Sequence, residues 1–174
     1  MTAFISIGIY LLNGLIGFQD FKERSISAWI VPALLVSFAF MQYHYQGLLH
    51  FSEFLPLNLL YLGIILGSIL VYAFLKFKKW TNPFDRLVGW GDVWIMLAFA
   101  FILETQTYIF FLTLSSCVSL LIALIMKMRK PNEQVQFPLA GMMSVIYLVL
   151  CVAGFIIGQQ AVFTSIHEFI NPVI

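Results

Sequence analysis

Long apolar runs are the feature of this sequence that most limits its fold. Six of them approach or exceed the roughly 17 to 25 residues that a helix needs to cross a bilayer. The runs do not alternate between apolar and polar residues as the strands of a membrane barrel do, so helices are predicted. The predicted spans are approximately residues 2–19, 27–46, 56–77, 87–103, 107–126 and 138–158.

Charged residues are too scarce for a water-soluble domain. Of the 174 residues 61% are hydrophobic and 10% are charged, whereas soluble domains carry about 25% charged residues. The sequence therefore predicts an all-α integral membrane protein with one transmembrane domain over residues 1–158. The remaining tail, residues 159–174, is weakly amphipathic, which is compatible with a position along the membrane interface.

The basic residues predict how the spans are oriented. All nine fall in the first, third and fifth loops between the spans: Lys22, Arg24, Lys76, Lys78, Lys79, Arg86, Lys127, Arg129 and Lys130. Because basic loops stay on the cytoplasmic side, both termini are expected outside a multi-pass protein of the cytoplasmic (inner) membrane. The net charge of +1 argues against a nucleic-acid partner.

Two aspartates are predicted to lie at matching depth inside the bundle. The apolar core of the fourth span, Val93–Leu103, has 11 residues and covers about 16 Å. To cross a hydrocarbon core of about 30 Å, the helix must also recruit the residues before it, which draws Asp92 inward. Asp20 ends the first span on the same side. Ionisable groups at such a depth usually face the bundle interior and have a function.

Two carboxyl groups that approach closely cannot both ionise at low cost, so they share a proton and titrate as one unit. That state suits peptide hydrolysis, in which one carboxylate activates water and its protonated partner polarises the carbonyl. Gly89 and Gly91 would let backbone or substrate approach Asp92 closely. An alternative is that Asp92 only caps its own helix and the glycines form the preceding turn.

The other titratable residues have simpler interpretations. Six acids are expected to be solvated loop charges: Glu23, Glu53, Asp85, Glu104, Glu133 and Glu168. The histidines, His44, His50 and His167, are all predicted on the outer side. They cannot reach the aspartates, so neither a histidine-based nucleophilic site nor a metal centre is predicted.

Two motifs resemble those of a known family. The segment Asp20–Ser27, with Arg24 and then Ile26 after the aspartate, resembles the first aspartate motif of type IV prepilin peptidases. Gly89-Trp90-Gly91-Asp92-Val93 matches that family's GxGD motif, and Phe137-Pro138 is similar to the entry of its final span. The resemblance covers nearly the whole chain.

The resemblance implies an aspartic endopeptidase that removes the basic leader of pilin-like precursors at the cytoplasmic face of the membrane. It implies Asp20 and Asp92 as catalytic residues, supported by Gly89, Gly91 and Arg24, without a metal or another cofactor. The implied partners are the precursor protein and the lipid bilayer, and the oligomeric state stays open.

The chain departs from the family pattern at three points. Ser27-Ala28 stands where the family usually has Pro-Asn, and Trp94 replaces the common lysine after the second motif. The cytoplasmic methyltransferase insertion with paired CxxC motifs is missing. The resemblance is therefore to the short, peptidase-only form, and cleavage without N-methylation is expected.

Two alternatives use the same aspartates. A presenilin-like intramembrane protease also has a GxGD motif, but those proteins are longer and usually have Tyr before the first aspartate, where this chain has Gln19. A proton- or cation-coupled carrier could bind its ion at the two acids. Carriers often contain internal repeats and helices broken near the midplane, whereas here no repeat is visible and both acids lie near one face.

Overall fold

The computed structural model describes residues 2–23, 26–77, 89–129 and 139–156. These ranges contain five α-helices, which confirms the all-α prediction. They are α1 (Thr2–Glu23), α2 (Ile30–Phe77), α3 (Trp90–Ala100), α4 (Thr105–Arg129) and α5 (Leu139–Ile156). The predicted features that lie outside the described residues include Arg24, the Phe137-Pro138 entry and the tail 159–174.

The structure differs from the prediction between the second and third spans. A loop was expected at residues 47–55, but α2 is helical throughout its 48 residues. The physical reason is that this segment contains no proline before Pro56, so nothing in it removes a backbone hydrogen-bond donor from the helix. Polar character placed the predicted loop there, and polarity alone does not end a helix.

Helix α2 nevertheless changes direction along its length. The Phe38 ring lies 5.5 Å from the Phe99 ring, between centroids, and Asn58 Nδ2 lies 3.0 Å from the carbonyl oxygen of the next residue, Ala100. In a straight helix, Phe38 and Asn58 would be about 30 Å apart. At that separation they could not contact Phe99 and Ala100, which are adjacent in the chain. The helix must therefore bend between them, in a segment that includes Pro56, and proline is a common cause of helix bending.

Helix α3 is about half as long as a membrane crossing. Its 11 residues cover about 16 Å, against a hydrocarbon core of about 30 Å. Two carbonyl oxygens at its carboxyl end, those of Ala100 and Leu103, accept hydrogen bonds from Asn58 Nδ2 at 3.0 and 2.7 Å. The predicted span 87–103 is thus helical only from Trp90 to Ala100 within the described residues, and Asp92 lies in the first turn of a short helix.

A buried aromatic cluster joins four of the helices. Phe99 of α3 contacts Phe38 of α2, Phe111 of α4 and Tyr147 of α5, with ring centroids 5.5, 4.7 and 5.2 Å away. All four side chains are buried. The cluster therefore holds the short helix α3 against α2, α4 and α5.

Within the part of the chain that the structure describes, two helical segments are long and apolar enough to cross a membrane, namely Ser52–Lys76 of α2 and Thr105–Arg129 of α4. Only 17% and 28% of their most apolar stretches are buried within the molecule. Their exposed side chains include large apolar ones such as Leu75, Leu121 and Ile125. A surface of this kind suits contact with lipid or with another apolar partner.

Candidate functional site

Asp20 is placed by the packing of α1 against α5. The two helices run in opposite directions, since Gly17 faces Val145 while Asp20, one turn further along α1, reaches Gly141. Asp20 is buried, with 7% of its side chain exposed. Its Oδ2 accepts a hydrogen bond of 2.6 Å from the backbone N–H of Gly141. A bond between an N–H and a carboxylate is among the stronger hydrogen bonds in proteins.

Asp92 is placed by the start of α3. The N-cap of this helix is Gly89, whose backbone is extended at φ −66° and ψ 143° and which receives no side-chain capping bond. Asp92 therefore lies inside the first turn of α3 and not at its N-cap, although its carboxyl group also accepts a hydrogen bond from the backbone N–H of Gly89. Its Oδ1 accepts a hydrogen bond of 2.9 Å from the backbone N–H of Ala140, at the start of α5.

The two carboxyl groups thus meet at the first turn of α5. Their donors, Ala140 and Gly141, follow Leu139, where the helix begins. Amide groups in a first turn have no partner within their own helix, and the helix dipole makes this end favourable for negative charge. Because the Cα atoms of consecutive residues are about 3.8 Å apart, Asp20 and Asp92 are neighbours, and their charges interact.

The segment after α1 packs against the second motif. Ile26 lies beside Gly91, where a Cβ atom on Gly91 would be 3.2 Å from Ile26 Cδ1. The same segment is tied back to α1, because the backbone N–H of Ser27 donates to Gln19 Oε1 at 3.0 Å. Ile26 and Gly91 belong to different motifs of the sequence, and the structure brings the two motifs into direct contact.

Of the other predicted site residues in the two motifs, the structure describes Gly89 but not Arg24. Gly89 is exposed and adjoins the second oxygen of Asp92, since a Cβ atom there would lie 3.4 Å from Oδ2. Arg24 cannot be placed because it is outside the described residues. Sequence reasoning missed Ala140 and Gly141, which act through backbone N–H groups that every residue except proline carries. The nearest signal was Pro138, which marked the start of the last helix.

These features define an all-helical protein in which two aspartates, from separate helices, converge on the amino end of a third. Residues 7–124 match the model of the type IV leader peptidase family. This match covers more than half of the chain, which therefore belongs to that family. The matched range includes both Asp20 and Asp92 and ends before α5. Neither a search of curated proteins nor a search of solved structures found a match.

Proposed function

We propose that this chain is a membrane-embedded aspartic endopeptidase that removes the leader peptide of type IV pilin-like precursors at the cytoplasmic face of the inner membrane. The observation that carries the proposal is the convergence of Asp20 and Asp92 on consecutive amide groups of α5. Membership of the leader peptidase family supports the class of substrate.

The mechanism needs one proton shared between the two aspartates. The ionised carboxylate takes a proton from a water molecule, which attacks the scissile carbonyl carbon, while the protonated carboxyl group donates a hydrogen bond to the carbonyl oxygen. When the tetrahedral intermediate collapses, the C–N bond breaks and the leaving amine takes the proton that the carboxylate accepted from water, which returns the pair to one shared proton. No covalent enzyme intermediate forms. The roles of base and acid belong to the pair, because the proton is shared.

The proposed topology has six crossings with both termini outside. The bend in α2 supports two crossings within that one helix. The basic residues support this orientation of the helices. Lys22 lies at the end of α1, and Lys127 and Arg129 lie at the end of α4. In this orientation all three would face the cytoplasm. Lys22 follows Asp20 by two residues, so the paired aspartates would lie near the cytoplasmic boundary, where a precursor's leader ends and its apolar helix begins.

The substrate would contact the protein through two kinds of surface. The exposed apolar sides of α2 and α4 suit the precursor's hydrophobic helix. Glu23 is exposed at the end of α1, three residues beyond Asp20, and could contact a basic leader. Asp85 and Glu133, considered for the same role, lie outside the described residues. Because the sequence contains no paired CxxC motifs, cleavage without N-methylation by this chain is expected.

The experiment is cleavage of a synthetic precursor, with a basic leader followed by an apolar helix, by purified protein in detergent or lipid. Asp20→Asn and Asp92→Asn should each reduce cleavage by about 10³-fold, within the range that general acid–base catalysis contributes. Both variants should fold, because an asparagine side chain keeps an oxygen that can accept the N–H of Gly141 or Ala140.

Glu53→Gln is the matched control, since it makes the same chemical change at an exposed acid far from the pair. It should retain wild-type cleavage, and all three variants should unfold at nearly the same temperature as the wild type. Full activity in Asp20→Asn or Asp92→Asn would remove the catalytic proposal.

A further inference from the structure

Gly141 lies where α1 and α5 approach most tightly at the site. A Cβ atom on Gly141 would be 2.8 Å from Asp20 Oδ2 and 3.1 Å from Asp20 Cβ, and also 3.3 Å from Phe21 Cε2. A contact of 2.8 Å is closer than Cβ atoms tolerate, so something would have to shift. A side chain at position 141 is therefore incompatible with the observed position of the Asp20 carboxyl group.

Backbone conformation does not explain this glycine. Gly141 lies in the first turn of α5, and its φ is not in the left-handed region. Within a helix, glycine is less stable than alanine by about 1 kcal/mol. The helix alone would thus favour alanine at position 141, whereas the space that its methyl group would need is occupied by Asp20 and Phe21.

The same turn holds both acids. Gly141 donates its N–H to Asp20, and the preceding residue, Ala140, donates its N–H to Asp92. Consecutive amides of a helix are rigidly spaced, so this turn fixes where one carboxyl group lies relative to the other. A displacement of Asp20 alone would change the separation of the pair without touching Asp92.

We infer that Gly141 is a positioning residue, which lets the Asp20 carboxyl group lie on the α5 amide at the separation from Asp92 that catalysis requires. This inference rests on the proposed function. Gly141 itself contacts neither water nor substrate in this role, and it acts through Asp20. Its contribution should therefore appear in the rate of the chemical step and not in the binding of the precursor.

The first test compares Gly141→Ala with Gly14→Ala. Both add one methyl group to a helical glycine, but a Cβ atom on Gly14 has no atom within 4 Å to meet, among the described residues. Gly141→Ala should lower kcat by about 10- to 100-fold, as expected when a catalytic group is misplaced by about 1 Å. KM should change less than twofold, and Gly14→Ala should match the wild type in both constants.

The second test measures the contact without relying on activity. Thermal unfolding in detergent is compared for the wild type, Gly141→Ala, Asp20→Ala and the double variant. With Asp20 present, Gly141→Ala should lower the unfolding temperature, because the methyl group meets the carboxyl group. With Asp20→Ala, the same change should lower the unfolding temperature by less, because the 2.8 Å contact with Oδ2 is gone, whereas the contacts with the Cβ atom of residue 20 and with Phe21 Cε2 remain.

The outcomes separate this inference from the proposed function. A kcat for Gly141→Ala within twofold of the wild type would overturn the inference while leaving the peptidase proposal intact. If Gly141→Ala does not fold, recovery of folding in the double variant supports the inference, and no recovery overturns it. If the wild type cleaves no precursor, the proposed function fails and with it the catalytic role of Gly141. The unfolding cycle then still decides whether Gly141 holds Asp20 in place.

Discussion

Asp20 and Asp92 accept hydrogen bonds from the same helical turn but differ in exposure. Asp20 is buried, whereas Asp92 is only partly buried and adjoins the exposed Gly89. The more exposed side of the aspartate pair is therefore the side on which Asp92 lies. Gly89 has an extended backbone that any residue can adopt, so backbone conformation does not require a glycine at this position.

Gly91 and Ile26 provide a prediction about how the two motifs fit together. Gly91→Ala places a methyl group 3.2 Å from Ile26 Cδ1, so this contact should offset the stability that alanine brings to a helix, unless that carbon is absent. Ile26→Val removes Cδ1, and the double variant should recover about 0.5 to 1 kcal/mol relative to the sum of the single variants. Thermal unfolding of the four proteins measures this coupling. Additive effects would mean that the two residues do not touch.

At the scale of elements, the short helix α3 depends on its neighbours. It covers only about half of a membrane thickness, and its carboxyl end is closed by the side chain of Asn58 from α2. Carbonyl oxygens at a buried helix end need partners, because water cannot reach them. The bend in α2 brings Asn58 beside the carboxyl end of α3. The bend therefore supplies the hydrogen-bond donor that allows α3 to end where it does.

Asn58→Ala should therefore destabilise the fold by about 2 kcal/mol, because two buried carbonyl oxygens lose their donor. Ser68→Ala is the control: it removes a hydroxyl that donates to the Ile65 carbonyl oxygen at an exposed position of the same helix. Its effect should stay within about 0.5 kcal/mol. Equal losses for the two variants, measured by chemical or thermal unfolding, would show that Asn58 does not support α3.

At the scale of the whole molecule, the proposed orientation makes Glu53 and Lys127 lie on opposite sides of the membrane. Both side chains are exposed, so cysteines introduced there should react with a membrane-impermeant maleimide. The exposed Cys117 is first replaced by serine. Glu53→Cys should react in spheroplasts, and Lys127→Cys should react in inverted membrane vesicles.

Each cysteine should become fully reactive after solubilisation in detergent, which controls for local reactivity. Labelling of both positions from the same side would contradict the proposed topology. Labelling of Lys127→Cys in spheroplasts and of Glu53→Cys in inverted vesicles would place the paired aspartates near the outer face, where the leader of a precursor is not found.

Several features could be predicted from local sequence alone. Long apolar runs require helices, because a backbone in an apolar environment must satisfy its own hydrogen bonds. The helical class was predicted in this way, whereas the family was predicted from the resemblance of the two aspartate motifs, and both are confirmed. The loop expected at residues 47–55 was wrong, because whether a helix stops or bends depends on what it packs against.

The sequence by itself singled out Asp20 and Asp92 as the candidate pair, since two acids embedded in apolar runs are costly and therefore conspicuous. Only the tertiary structure decided where their carboxyl groups lie. The amides of Ala140 and Gly141 are backbone groups with no signature in the side chains, and the contact of Gly141 with Asp20 joins residues 121 positions apart. Such an arrangement depends on how α1, α3 and α5 pack, which no local pattern encodes.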